Sequence, residues 1–117
     1  MEVHAIAKNV PMSPQKMREM VRQIQGLPAL QAQAVLAVVP RKGARFVAKT
    51  LKSAIANAED LKEHKKEYNG MRTDRLVVKE ALAQTASTLR RFTPKARGSA
   101  GPILKRNCHI KIVLSDE

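Results

Sequence analysis

The sequence has no tryptophan and few aromatic residues of any kind. Its 117 residues include one tyrosine and two phenylalanines, so aromatic side chains make up 3% of the chain. Modules that bind single-stranded nucleic acid stack successive bases on aromatic side chains, and this composition argues against such a module. Contacts from lysine and arginine to backbone phosphates are the mode of nucleic-acid binding that remains.

Cysteine is equally scarce, because Cys108 is the only one in the chain. A single cysteine cannot form an internal disulfide or a cysteine-based zinc site, which fits a reducing compartment. The first four residues contain no basic segment that leads into an apolar run, so no signal peptide is predicted. The longest uncharged run, residues 23–40, contains glutamines, prolines and a glycine that a bilayer core would not accept. We expect a soluble intracellular protein.

Residues suited to catalysis are few and scattered. The three histidines, His4, His64 and His109, lie far apart, and aspartate occurs only at positions 60, 74 and 116. Cys108 and His109 are adjacent, which in a strand places them on opposite faces and makes a poor pair of nucleophile and base. No glycine pattern matches a phosphate-binding loop. The sequence therefore predicts no enzyme, no metal site and no cofactor.

Positive charge is what the chain has in excess. It carries 22 lysines and arginines against 10 aspartates and glutamates, a formal net charge of +12. Such a surplus predicts a polyanionic partner, with nucleic acid first and an anionic membrane second. The length allows one domain with one core, and an apolar fraction of 44% is typical of a globular chain.

Hydrophobic periodicity predicts three helices and three strands in the body of the protein. The first predicted helix begins at Ser13-Pro14 and stops at Gly26, and the other two span residues 29–39 and 41 to about 63. The predicted strands span residues 3–7, 76–83 and 109–114. Ser13-Pro14 is typical of a helix start, in which the serine hydroxyl accepts a hydrogen bond from a free backbone amide. Met17, Met20 and Ile24 belong to one apolar stripe, which we assign to the core.

Three basic residues recur on one face of the third predicted helix. Arg45, Lys49 and Lys52 are spaced at i, i+4 and i+7. A charged stripe is usually a solvated helix face. Like charges at this spacing repel one another unless an anion lies alongside, however, so we infer that this stripe contacts the polyanionic partner.

The stretch from Ala81 to Ser115 concentrates the positive charge. It has no aspartate or glutamate, and its seven basic residues are Arg90, Arg91, Lys95, Arg97, Lys105, Arg106 and Lys111. Its middle, residues 84–103, has too few large apolar residues to build a core, which leaves a disordered basic loop or a projecting two-stranded ribbon. The flanking strands favour the ribbon, with a turn between Pro94 and Gly101. Arms of about ten residues would then reach roughly 30 Å.

Three motifs in the right order resemble one protein family. They are Val10–Arg18 (VPMSPQKMR, with a Ser-Pro-x-Lys-x-Arg helix start), Ser53–Glu59 (SAIANAE), and Arg91–Gly98 (RFTPKARG) followed by Lys105–Ile110 (KRNCHI). Over nearly its whole length the chain resembles the bacterial type of the universal large-subunit ribosomal protein L twenty-two. It departs from the family at the hairpin tip, where Ser99 replaces a common arginine.

The resemblance implies an α+β fold, in which three helices pack on a small three-stranded antiparallel sheet with a long protruding β-hairpin. It implies one domain, with a body of about residues 1–83 and 105–117 and a hairpin of about residues 84–104. The implied protein is a cytoplasmic, structural constituent of the large ribosomal subunit that binds large-subunit ribosomal RNA and supports assembly. Its hairpin would line the nascent-peptide exit tunnel, near which macrolide antibiotics act in the family. Neighbouring large-subunit ribosomal proteins and the nascent polypeptide are the other implied partners.

The resemblance also implies individual functional positions. The family's RNA-contact positions fall on Lys16, Arg18, Lys95, Arg97, Lys105, Arg106 and His109, and its basic pair before the tip falls on Arg90 and Arg91. The tunnel-lining tip comprises Thr93, Pro94, Lys95, Ala96, Arg97, Gly98, Ser99 and Ala100. The stripe on the third helix is added to the RNA contacts from its spacing alone.

Two other classes of protein compete with this interpretation. A DNA-architectural protein with basic β-arms would also be small, basic and non-catalytic. Such proteins normally dimerise, and no obvious apolar dimer surface is left over once three helices cover one sheet. A nuclease would need a cluster of metal-binding carboxylates, which residues 81–115 do not contain.

The charge pattern leads to a prediction about salt. We expect the affinity of the protein for large-subunit ribosomal RNA to fall steeply as salt is raised, because each phosphate contact releases condensed counterions. Titration of the purified protein with that RNA over a series of KCl concentrations measures the slope. A nearly flat dependence would contradict phosphate-based binding.

Overall fold

The computed structural model describes residues 2–70 and 72–116. In these residues one strand is followed by three helices and then by four strands. The strands are β1 (Glu2–Val10), β2 (Val77–Thr85), β3 (Leu89–Pro94), β4 (Ala100–Lys105) and β5 (Cys108–Ser115). The helices are α1 (Pro14–Ile24), α2 (Ala29–Val38) and α3 (Lys42–His64). Short 3-10 turns at Lys66–Tyr68 and Thr73–Arg75 connect α3 to β2. Of the helices in these residues, none has the length and apolar character needed to cross a membrane.

Strand β5 lies in the middle of a three-stranded antiparallel sheet. It pairs with β1 on one side and with β2 on the other, so the strand order is β1-β5-β2. Ile110, Ile112 and Leu114 are fully buried, which confirms the alternation predicted for this strand. β1 is an edge strand, and it spans residues 2–10, where the prediction was 3–7, because its pairing with β5 continues beyond the predicted segment.

The helices supply the other half of the core. α1 packs on β2, α3 packs on β1 and β5, and α2 packs on α3. Met17, Met20 and Ile24 are fully buried, which confirms the apolar stripe of α1, and burial of each such side chain contributes about 1.5–3 kcal/mol. Gly43 lets α3 begin close against α1, since a Cβ at this position would lie 3.0 Å from Cγ of Met20. The same Cβ would lie 3.1 Å from Cε of Met12, so the start of α3 lies against both α1 and the segment that precedes it.

The first turn of α1 differs from the predicted cap. Pro14 is the first helical residue, as predicted, and the amide of Met17 donates to the carbonyl of Ser13 at 3.1 Å. The hydroxyl of Ser13 makes no capping hydrogen bond, so that part of the prediction is wrong. Pro14 has no N–H, so one of the donors that a cap would satisfy is already missing. The side chain of Ser13 provides no acceptor for the amides of the first turn of α1.

β3 and β4 form a two-stranded ribbon that is separate from the sheet. The ribbon, and not a disordered loop, is therefore the arrangement of this basic segment. Its arms have six residues each, so the predicted ten were too many. The ladder is interrupted at residues 86–88 and 106–107, where the amide of Ala86 donates to the carbonyl of Asn107 at 3.2 Å. The Asn107 side chain donates to the Ser87 carbonyl at the same distance and ties the two chains together.

Cys108 provides a chemical test of the body fold. The side chain is fully buried, and burial raises the pKa of its thiol. Because the thiolate is the reactive form, we expect native Cys108 to react with iodoacetamide at least about tenfold more slowly than in the unfolded chain. Mass spectrometry of samples alkylated with and without guanidinium chloride gives the two rates. Equal rates would show that β5 is not packed as described.

Candidate nucleic-acid interface

The tip of the ribbon is a tight turn with two left-handed residues. Arg97 has a φ of 60° and Gly98 a φ of 75°, and the amide of Lys95 donates to the carbonyl of Ser99 at 2.5 Å. Glycine adopts this conformation readily, whereas other residues lose about 1–2 kcal/mol. Arg97 therefore occupies a strained position at an exposed tip, a combination typical of functional sites.

The ribbon exposes its positive charge along its whole length. Its exposed cations are Arg90, Arg91, Lys95, Arg97 and Lys105. Arg90 and Arg91 are neighbours in β3, so their side chains lie on opposite faces of the ribbon. In the chain as described, with residues 1, 71 and 117 left aside, none of the ribbon's cations forms an ion pair. Both faces of the ribbon thus present uncompensated charge.

A groove at the base of the ribbon gathers cations from three parts of the chain. This base groove, of about 650 Å³, is lined by Lys16 of α1, Lys42 of α3, Lys105 of β4 and the following Arg106. An adjoining cleft of about 250 Å³ is lined by Arg18 and, again, by Arg106. Nε of Arg18 donates to the carbonyl of Ala83 at 3.1 Å, which ties α1 to β2 beside the cleft. Four of the predicted RNA-contact positions are brought together here.

Two helices begin at the base groove, and neither has the usual anionic start. α1 and α3 have no acidic residue in their first turns and no capping hydrogen bond from the side chain of the N-cap residue. Lys16 and Lys42 occupy these first turns, where the positive end of the helix dipole disfavours a cation. Two helix N-termini and four cations at one groove form a favourable environment for a phosphate.

The basic stripe on α3 does not form a single site. Arg45 lines a groove of about 620 Å³ between α2 and α3. Lys49 lines a different groove, of about 370 Å³, between α3 and β1. Lys52 is exposed and lines neither of them. The three residues share one face of α3, but no single groove holds them all, and their contact with RNA stays a prediction.

His109 has a structural contact of its own. It is half-buried in β5, and its Nδ1 accepts a hydrogen bond of 3.1 Å from the amide of Asn9. Asn9 has a φ of 56° and lies where the pairing of β1 with β5 is irregular. Asparagine tolerates this conformation better than most residues. Because Nδ1 accepts, Nε2 is the ring nitrogen that carries the hydrogen in neutral His109.

Three cations of these grooves were missed by the sequence analysis, and one of them, Arg41 in the groove between α2 and α3, is paired with Glu19. Lys42 joins the base groove, and Lys8 shares the groove of Lys49. A signal for Lys42 exists in the sequence, since it stands in the first turn of a helix that has no acidic residue there. Lys8 lies in an edge strand, and no sequence pattern around it indicates a binding role. Only the packing of α3 against β1 shows that it shares a groove with Lys49.

Acidic residues collect at the opposite end of the body. β1 begins there, α3 ends there, and the connection from α3 to β2 lies there as well. The residues of this acidic end are Glu2, Glu59, Asp60, Glu63, Glu67, Asp74 and Asp116. Glu2 pairs with Lys79, Asp60 lies 3.4 Å from His64, and Asp116 accepts a hydrogen bond from the amide of Arg72. The same end also carries Lys62, Lys65, Lys66, Arg72, Arg75 and Lys79, so it is close to neutral and the excess positive charge lies toward the ribbon.

Within residues 2–70 and 72–116, no group of three or more histidine, cysteine, aspartate or glutamate side chains could hold a metal ion. The surface carries instead a basic ribbon, a cationic base groove and two helix N-termini. This arrangement is typical of one class of protein, the small basic scaffold whose charge and shape suit a polyanion.

Comparison with known proteins gives the family within that class. The chain matches the family model of ribosomal protein L22p/L17e over residues 5–115. Large ribosomal subunit protein uL22 of Opitutus terrae is 49% identical over 116 residues, which cover 99% of this chain and 96% of the relative. The proteins of the same name from Akkermansia muciniphila and Methylacidiphilum infernorum are 44% and 45% identical. These alignments cover 100% of this chain and 98% and 96% of the two relatives.

The chain belongs to the ribosomal protein L22p/L17e family. Its members are structural, non-enzymatic components of the ribosome, so the predicted family and the prediction of no enzyme are confirmed. The α+β fold with three helices, a three-stranded antiparallel sheet and a hairpin is confirmed as well. Family membership favours the ribosomal interpretation over the DNA-architectural and nuclease alternatives.

The geometry of the tip leads to a prediction. We expect Gly98→Ala to destabilise the turn by about 1–2 kcal/mol, because alanine disfavours the positive φ. Hydrogen exchange at the Lys95 amide, which bonds to Ser99 across the turn, should accelerate about fivefold or more. Ser99→Ala is the matched control, since Ser99 has a φ of −73° and any residue tolerates it. Equal exchange rates in the two variants would contradict the described turn.

Proposed function

We propose that this protein binds large-subunit ribosomal RNA through the base groove and the basic ribbon, as a structural constituent that supports assembly of the large subunit. The observation that carries the proposal is the convergence of two helix N-termini with four cations at the base groove. Phosphates are the anions that such a site accommodates, and ribosomal RNA is the polyanion available to a protein of this family.

The ribbon itself supports the same partner. Its side chains are mostly exposed, and a two-stranded hairpin without a core beneath it is only marginally stable in water. Repulsion among its cations lowers that stability further. Phosphates packed along both faces would remove the repulsion, so RNA would stabilise the extended shape that gives the molecule its length of 66 Å.

The predicted contact positions fall into three groups in this proposal. The first group contacts RNA at the base of the ribbon and comprises Lys16, Arg18, Lys105 and Arg106. The second follows the ribbon toward its tip and comprises Arg90, Arg91, Lys95 and Arg97. The third lies on the body and comprises Arg45, Lys49, Lys52 and His109, with separate contacts because no shared groove joins them.

The tip is the part we assign to the nascent-peptide exit tunnel. Residues 93–100 lie farthest along the ribbon and include the small residues Ala96, Gly98, Ser99 and Ala100. Small side chains leave room for a polypeptide to pass, and Lys95 and Arg97 keep the wall positive on this side. The acidic end, at the other extreme of the body, is then the surface available to neighbouring ribosomal proteins.

Paired variants test the RNA interface. Lys105→Ala with Arg106→Ala removes two cations from the base groove, so the slope of log affinity against log salt should decrease in magnitude by about 1.5. The variant should also dissociate from large subunits during a high-salt wash in which the native protein remains bound. Sedimentation through sucrose, followed by detection of the protein in the large-subunit fraction, measures this retention.

The control removes the same charge from the acidic end. Lys62→Ala with Lys65→Ala also takes two positive charges from the net +12, but near the end of α3. We expect this control to keep the native slope and the native retention. Equal losses in both double variants would show that net charge alone governs binding, and no loss in the first would contradict the base groove as the RNA site.

A further inference from the structure

The two faces of the ribbon differ in chemistry. In a two-stranded ribbon, residues that pair directly across the strands lie on the same face. The pairs here are Leu89 with Lys105, Arg90 with Leu104, Arg91 with Ile103, Phe92 with Pro102, Thr93 with Gly101 and Pro94 with Ala100. The Phe92 face therefore consists of Arg90, Phe92, Pro94, Ala100, Pro102 and Leu104. The opposite face, the Lys105 face, consists of Leu89, Arg91, Thr93, Gly101, Ile103 and Lys105.

A lysine side chain covers the outer part of the Lys105 face. A Cβ on Gly101 would lie 2.5 Å from Cε of Lys95, so the carbon chain of Lys95 lies over Gly101. On the Phe92 face, Phe92 is 74% exposed and Leu104 is 49% exposed. The large apolar residues of the Lys105 face, Leu89 and Ile103, are less exposed, at 43% and 38%. The Phe92 face thus carries an uncovered aromatic ring in the middle of a basic ribbon.

Phe92 contrasts with the other phenylalanine of the chain. Phe46 is partly buried and packs against the core, where it contributes to folding. Phe92 has no such role, because the ribbon has no core and the residue across from it is Pro102. On the Phe92 face the ring adjoins the exposed apolar residues Pro94, Pro102 and Leu104, and a contiguous apolar patch of this kind marks a surface that a partner covers.

We propose that Phe92 stacks on an unpaired base of large-subunit ribosomal RNA, an inference that rests on the RNA-binding function proposed above. The partner must offer a flat apolar surface to the ring and negative charge to the cations around it. A nucleotide provides both, since its base has a π-face and its phosphate is anionic.

Arg90 is placed where it can contact the phosphate of a nucleotide whose base stacks on Phe92. It lies on the same face, two residues before Phe92, which is about 7 Å along the strand. A base on the ring and a phosphate at the guanidinium are therefore within reach of the same short stretch of RNA. A protein partner would instead have to combine an apolar pocket with acidic side chains to offset the same cations.

A single-tryptophan variant tests the stacking directly. The chain has no tryptophan, so Phe92→Trp introduces a unique fluorophore whose emission is quenched when the indole stacks on a base. The matched control is Ile103→Trp, which places the indole on the Lys105 face. With extracted large-subunit ribosomal RNA as the probe, we expect strong quenching for Phe92→Trp and little for Ile103→Trp.

Affinity provides a second readout. Phe92→Ala should weaken RNA binding about five- to a hundredfold while leaving the salt slope unchanged, because stacking involves no counterion release. Phe92→Tyr keeps the ring and should bind like the native protein. Slow alkylation of buried Cys108 verifies in each variant that the body is folded.

The outcomes separate the inference from the proposed function. Native binding by Phe92→Ala, or equal quenching at both tryptophan positions, would overturn the stacking while the RNA-binding function stands. A blue shift of Phe92→Trp on addition of other ribosomal proteins, without quenching by RNA, would assign the face to a protein and also overturn it. Failure of the native protein to bind the RNA would overturn both.

Discussion

Pairing of β5 with both of its neighbours is the constraint on which the rest of the structure depends. Val10 at the end of β1 and Thr85 at the end of β2 both pair with Cys108, the first residue of β5. These three strand ends therefore lie at the same edge of the sheet. At that edge β1 turns into α1, β2 continues into the ribbon, and the ribbon returns into β5. The base groove exists because this register brings those three connections together.

Electrostatics follows from the same arrangement. The sheet and α3 run the length of the body, so their two ends are separated by the whole core. Acidic residues lie at the end where β1 begins, while the ribbon and the two helix starts lie at the other. A body polarised in this way would orient itself on a polyanion before any specific contact forms, because the field of the whole molecule acts over a longer range than a single pair of charges.

Local patterns were sufficient for most of the fold. The apolar stripe of α1 and the alternation in β5 reflect periods of 3.6 and 2 residues, which are properties of a few adjacent residues. The cap at Ser13 was predicted from the same kind of local signal and was wrong, since the hydroxyl makes no such bond. The length of the ribbon's arms was overestimated, because the interruption at residues 86–88 and 106–107 has no strong signature in composition.

The candidate site, like the fold, has features that local sequence determines and features that depend on tertiary packing. The sequence by itself determined how much positive charge the chain carries, that residues 81–115 hold it without any acid, and which helices form. Only the tertiary structure decided that Lys16 and Lys105 line the same groove, and that Arg45 and Lys49 line two different grooves. It also decided that the side chain of Phe92 is exposed. The reason is physical: charge and periodicity belong to neighbours in the chain, whereas distances between remote residues arise from strand register and helix packing, in which one residue of slip would move a side chain to the other face.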